Sequence, residues 1–111
     1  ELGQLAALKR LYVAYNDISS IPSLAEMVGL EELFLSGNPK LHDLPEGVFT
    51  LEQLNSLYAS NIGLQQLPAD IGTLSALRIL DLSHNSLSKV PAEIGALQVV
   101  SAINLSYNQI D

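Results

Sequence analysis

LRILDLSHNSLSKVP, residues Leu77 to Pro91, sets leucine at 77, 80, 82 and 87 around a single asparagine at 85. Neither a helix nor a strand alone accounts for it. Leu77 and Leu80 are three apart, as on a helix face, whereas Leu80 and Leu82 are two apart, as on a strand face. An asparagine among leucines is costly unless its amide is hydrogen-bonded. The rest of the chain supplies the context, because the arrangement recurs.

The block L-x-x-L-x-L-x-x-N-x-L, with Ile, Val or Ala allowed for Leu, occurs five times. It reads LKRLYVAYNDI from Leu8, LEELFLSGNPKL from Leu30 and LNSLYASNIGL from Leu54, then LRILDLSHNSL from Leu77 and VSAINLSYNQI from Val100. The copies start 22 to 24 residues apart. A second phrase lies between later blocks: LPEGVFTLEQL, LPADIGTLSAL and VPAEIGALQVV. In x-L-x-L-x the leucines alternate, so one face of a short strand turns inward and the other outward. One repeat cannot bury its apolar face, but stacked repeats share a continuous core and one parallel sheet.

The five in-register blocks resemble the leucine-rich repeat family over essentially the whole chain, residues 1–111. The resemblance implies an α/β solenoid: short parallel strands on a concave face, and irregular, 3-10 or short helical turns on the convex face. It also implies that the asparagine closes the turn after each strand and bonds to backbone groups of its own and neighbouring repeats. Asn16, Asn38, Asn85 and Asn108 hold that ladder position. The third repeat departs, with Ile62 where asparagine belongs and Asn61 one place early. Either the turn shifts so that Asn61 serves, or the ladder has an apolar gap. The second repeat carries an extra residue in NPKL, read as a small bulge after Asn38. In the first, IPSLAEMVGL is one residue short, and SLAEMV reads as a brief helical turn. ELGQL at 1–5 matches the tail of a preceding repeat, and NQID precedes a return segment, so the expectation is a piece of a longer array.

Charge and composition narrow the function. Twelve acidic against five basic residues give a net charge of −7, which argues against a nucleic-acid partner. No apolar run approaches the ~20 residues of a membrane span, so no membrane insertion is expected. The absence of cysteine removes thiolate catalysis and cysteine metal sites. His84 has only Asp81 nearby, and His42-Asp43 is an isolated pair in a turn, so neither forms a metal or acid–base set. No Gly-x-Ser-x-Gly elbow or phosphate loop occurs. Asn104-Leu105-Ser106 fits a glycosylation triplet, but such triplets are frequent by chance. No catalysis, cofactor, metal or small-molecule substrate is expected.

What remains is the outward strand face. Its central row is Tyr12, Phe34, Tyr58, Asp81 and Asn104; the preceding row is Arg10, Glu32, Ser56, Ile79 and Ala102; the following row is Ala14, Ser36, Ser60, Ser83 and Ser106. Three adjacent aromatics in one row can stack at a strand spacing of ~4.8 Å. They either cover the sheet or anchor a protein or peptide partner. We take Tyr12, Phe34, Tyr58, Asp81, Asn104, Arg10 and Glu32 as the candidate partner-binding set. The expected role is a scaffold or signalling module binding protein on the concave face. The alternatives are the recognition arm of a larger enzyme or receptor (kinase, cyclase or ubiquitin ligase), or a structural spacer. LPADIGTL and VPAEIGAL resemble intracellular scaffolds of the Scribble and Ras-suppressor kind, whereas LPEGVFTL resembles extracellular repeats. The expected location is cytoplasmic, with extracellular the alternative.

Overall fold

Among the described residues, five three-residue strands, one per repeat, form a single parallel sheet in chain order. They are β1 (Arg10–Tyr12), β2 (Glu32–Phe34), β3 (Ser56–Tyr58), β4 (Ile79–Asp81) and β5 (Ala102–Asn104). The computed structural model describes residues 6–110, so the repeat tail read in 1–5 and the terminal Asp111 lie outside the described residues.

Register follows the leucine spacing. Leu11, Leu33, Leu57, Leu80 and Ile103 are mutual partners across the sheet, and each points into the stack. A one-residue slip would send this column to solvent, so the hydrophobic period fixes the pairing. Beside it run Leu30, Leu54 and Leu77, then Leu35, Ala59 and Leu82, all fully buried. Each such leucine contributes about 1.5–3 kcal/mol relative to exposure. Burial weakens towards the last strand, where Ile103 is 40% exposed.

The return side is built from the Pro-x-x-Ile-x-x-Leu phrase. The Pro68 carbonyl accepts from the Ile71 N–H at 3.1 Å, and the Ile71 carbonyl accepts from Leu74 at 3.3 Å. The same two bonds recur at Pro91–Ile94–Leu97 and Pro45–Val48–Leu51. They generate three 3-10 helices: η1 (Val48–Thr50), η2 (Ala69–Thr73) and η3 (Ala92–Ala96). Proline's fixed φ suits the extended residue that precedes each of the last two. Gly47, preceding η1, has φ of 88°, and a Cβ there would stand 2.5 Å from the Ala25 backbone nitrogen.

The first repeat corrects one expectation, because SLAEMV forms turns rather than a helical segment. Its missing residue brings Leu24 to two places after Pro22, too close for the three-residue bond of its siblings. The Leu24 N–H instead donates across the repeat boundary to the Glu46 carbonyl at 2.8 Å. After Asn38 the chain makes a turn closed by Leu41 N–H to the Asn38 carbonyl, with Lys40 exposed.

Candidate functional site

The outward rows lie in the register of the strands. Tyr12, Phe34, Tyr58, Asp81 and Asn104 are successive partners, as are Arg10, Glu32, Ser56, Ile79 and Ala102. The Tyr12 and Phe34 ring centroids are 4.3 Å apart with planes 11° from parallel, and Phe34 and Tyr58 are 4.8 Å apart at 7°. Strand spacing therefore produces a three-ring stack whose edges face outward. Tyr12, at the open end, is 62% exposed, whereas Phe34 and Tyr58 are half-buried. Arg10 Nε lies 3.5 Å from Glu32 Oε2, so two members of the set pair with each other next to the stack. Arg10 is exposed and Glu32 half-buried, and so open a pair holds orientation more than it adds stability.

Past Tyr58 the row turns polar. Asp81 Oδ1 accepts from the Ser83 N–H at 3.0 Å and from its hydroxyl at 2.7 Å. Asn104 Oδ1 accepts from the Ser106 N–H and hydroxyl in the same way, at 3.0 and 2.6 Å. The following row is accordingly less open than its small side chains suggest, with Ser83 buried beside Asp81. Ser56 is also buried, being short and flanked in register by Glu32 and Ile79.

Behind this face the asparagines link the repeats. Asn38 Oδ1 accepts from the Asn16 N–H at 3.0 Å and the Ile18 N–H at 3.3 Å, while its Nδ2 donates to the Val13 and Leu35 carbonyls. Asn85 Oδ1 accepts from Ile62 and Leu64, and its Nδ2 donates to Ala59, Leu82 and Ser83 carbonyls. Asn108 accepts from Leu87 and donates to Leu82, Leu105 and Ser106. Each therefore bonds its own repeat and the one before it. Asn16 is exposed and enters this pattern through its backbone N–H.

The third repeat resolves as a gap. Ile62 is fully buried in the ladder column, and Asn61 is exposed with φ of 54°. That left-handed φ recurs one place before the ladder position throughout: Tyr15, Gly37, Asn61, His84 and Tyr107 all share it. The N–H groups of Tyr15, Gly37, Asn61 and His84 donate in turn to the Ser36, Ser60, Ser83 and Ser106 carbonyls. Asn61 thus keeps its own column and does not move into its neighbour's. Among the described residues no acceptor meets the buried Asn38 N–H, which a ladder asparagine at 62 would serve.

This left-handed row makes a second outward feature that sequence reasoning missed. His84 and Tyr107 rings stack at 4.3 Å and 9°. The Tyr15 ring lies over Gly37, where a Cβ would stand 2.3 Å from its Cδ1. The available signal was the column itself, in which Gly37 and Asn61, two residue types tolerant of positive φ, sit at equivalent positions. His84 is thereby placed against a tyrosine rather than Asp81, and His42 Nδ1 lies 3.4 Å from the Gly63 carbonyl. Among the described residues no three His, Asp or Glu side chains converge as a metal site.

Stacked strand-and-turn repeats of 22–24 residues, sewn together by buried asparagines, define a solenoid repeat protein. The chain belongs to the leucine-rich repeat family: residues 7–47 match the family description "Leucine Rich repeats (2 copies)" and residues 52–110 match "Leucine rich repeat". No curated protein matches significantly. A leucine-rich repeat protein of Leptospira interrogans is similar in structure, with a TM-score of 0.88 and 30% identity over 98% of this chain and 28% of its own. A plant ice-binding protein has a TM-score of 0.72 and 28% identity, covering 92% of this chain and 31% of its own. Internalin C2 of Listeria monocytogenes, at 16% identity and a TM-score of 0.70, shares the fold over 99% of this chain and 57% of its own. The chain thus spans under a third of the length of the first two. Leucine-rich repeat domains are generally protein-interaction modules.

Proposed function

We propose that this array binds a protein or peptide partner across its outward strand face. Tyr12, Phe34 and Tyr58 form the apolar anchor, with Arg10, Glu32, Asp81 and Asn104 as its polar surround. The observation that carries the reading is the three-ring stack, an ordered aromatic ridge beside hydrogen-bonding groups. Aromatic side chains of this kind concentrate binding energy at interfaces. Leucine spacing accounts for the fold without them, since the buried column lies on the other face of the same strands. Fixed in advance by stacking, the ridge costs a partner little ordering on contact.

On this reading the array performs recognition, and any chemistry belongs to other domains or partners. The Pro-Ala-x-Ile-Gly phrases support a cytoplasmic location, which cell fractionation tests directly. The binding test is selection of peptides from a random library on the immobilised array. Binders are expected to lose at least ~5-fold in affinity on Phe34→Ser or Tyr58→Ser, the range of an interface anchor. Affinity unchanged by either variant, with the fold intact, overturns the strand-face assignment.

A further inference from the structure

The outward rows of the sheet hold three charged side chains, Arg10, Glu32 and Asp81. Arg10 and Glu32 pair with each other, which leaves Asp81 as the unmatched charge of this face. None of the three ion pairs among the described residues includes it, and Arg78, the nearest base along the chain, takes part in none of them.

The fold does not need that charge. Asp81 Oδ1 accepts from the Ser83 N–H and hydroxyl, and one repeat later Asn104 Oδ1 makes the same two bonds to Ser106. A neutral amide oxygen therefore suffices for the turn. The second carboxylate oxygen is spare: Oδ2 accepts no hydrogen bond from any described residue. Since no buried side-chain oxygen among them lacks a partner, Oδ2 opens to solvent. Ser83, itself buried, holds the group in one orientation.

The position of Asp81 selects what can meet it. It follows Tyr58 in register on the neighbouring strand. Phe34 covers one face of the Tyr58 ring, and among the described residues no ring stacks on the side towards β4. A group bonded to Oδ2 would stand about one strand spacing, ~4.8 Å, further along the stack. Cations are attracted to that side of an aromatic ring. The carboxylate accepts only, so its ligand must donate. A neutral donor would leave the charge uncompensated once a partner excludes water, and an anion is repelled by Asp81 and by a net charge of −7.

We propose that Asp81 docks a lysine or arginine side chain of the partner, next to an apolar side chain that rests on the Phe34–Tyr58 rings. This deepens the strand-face reading and rests on it, by naming the charge the partner must carry.

The test is peptide selection from a random library on the immobilised array, with affinities then measured on the array and its variants. Selected peptides are expected to carry a basic residue within two places of an apolar one. Asp81→Asn, which keeps the geometry seen at Asn104, should weaken them at least ~5-fold with the thermal midpoint nearly unchanged. Glutamine in place of the peptide's basic residue should cost as much, and the two changes together should cost no more than either alone. Asp70→Asn, the same charge removed from the opposite side, should leave affinity unchanged. Binders without a basic residue, equal affinity for the array and its Asp81→Asn variant, or an equal loss on Asp70→Asn overturns the proposal. In those cases the strand-face reading still stands if Phe34→Ser weakens binding. Binders that respond to Asp81→Asn and not to Phe34→Ser keep the cation site and overturn the aromatic anchor. An array that selects no peptide overturns both.

Discussion

Asn85 Oδ1 accepts the Ile62 backbone N–H at 3.0 Å, so a polar side chain of one repeat satisfies the buried main chain of its neighbour. With Leu64 N–H also bonded to that oxygen, and Nδ2 donating to three carbonyls, Asn85 has no spare capacity. Asn85→Leu would strand several of these groups in a dry site. The expected loss is about 3–5 kcal/mol of unfolding free energy, read from denaturant midpoints. A midpoint that does not move removes the load assigned to the ladder.

Ile62 offers the complementary experiment. Ile62→Ala removes buried aliphatic volume and should cost about 2–4 kcal/mol. Ile62→Asn loses the same packing but supplies an acceptor to the Asn38 N–H and joins an ordered column. Since an unmet buried donor costs about 1–3 kcal/mol, the asparagine variant should exceed the alanine variant in stability by at least ~1 kcal/mol. Equal destabilisation would show that position 62 cannot adopt the ladder geometry.

Glycine substitutions separate conformation from space. Gly47→Ala places a Cβ 2.5 Å from the Ala25 backbone at φ of 88°, where neither partner can swing aside. A loss of at least ~1–2 kcal/mol is expected from the strained backbone alone. Gly95 in η3 has nothing within 4 Å of a would-be Cβ, so Gly95→Ala should be neutral or slightly stabilising. Thermal midpoints of the two variants suffice to test the contrast.

Much of this was legible in the sequence, and the physics explains where legibility ends. Strand pairing follows from the leucine period, so Tyr12, Phe34 and Tyr58 could be aligned without coordinates. The stack follows from strand spacing. SLAEMV was misleading because its composition resembles a helix while one missing residue disables the bond from the proline carbonyl to the Val or Ile three places on that opens its siblings' 3-10 helices. The Tyr15–Tyr107 row was hidden for a different reason. Its common property is a positive φ, which Gly37 and Asn61 hint at but which Tyr15, His84 and Tyr107 in the same column obscure. Ser83 sits in an outward row of small side chains yet is buried beside the Asp81 carboxylate, a contact set by rotamers and not by spacing.

Protection against hydrogen exchange should peak in β3 and β4, where Leu57 and Leu80 are buried between flanking repeats, and fall through β5. In a stack stabilised by units and their interfaces, opening spreads from the less covered strands. Protection in β5 equal to that in β3 would contradict the burial gradient.

The aromatic row yields the sharpest separation of fold from function. Tyr12 is largely exposed and stacks on one side only, so Tyr12→Ser should change stability by about 0.5–1 kcal/mol at most. Phe34 stacks on both sides and is half-buried, so Phe34→Ser should cost more, about 1–3 kcal/mol, as area and two ring contacts are lost. Both should weaken a selected peptide by about 1–4 kcal/mol if the ridge is its anchor. Asp70→Asn and Glu93→Gln, on exposed 3-10 positions of the opposite side, should leave affinity within experimental error. Tyr12→Ser carries the decision, because its binding loss cannot be attributed to unfolding. A peptide that ignores Tyr12→Ser yet responds to Asp70→Asn would move the interface to the 3-10 side and leave the rings as cover for the sheet.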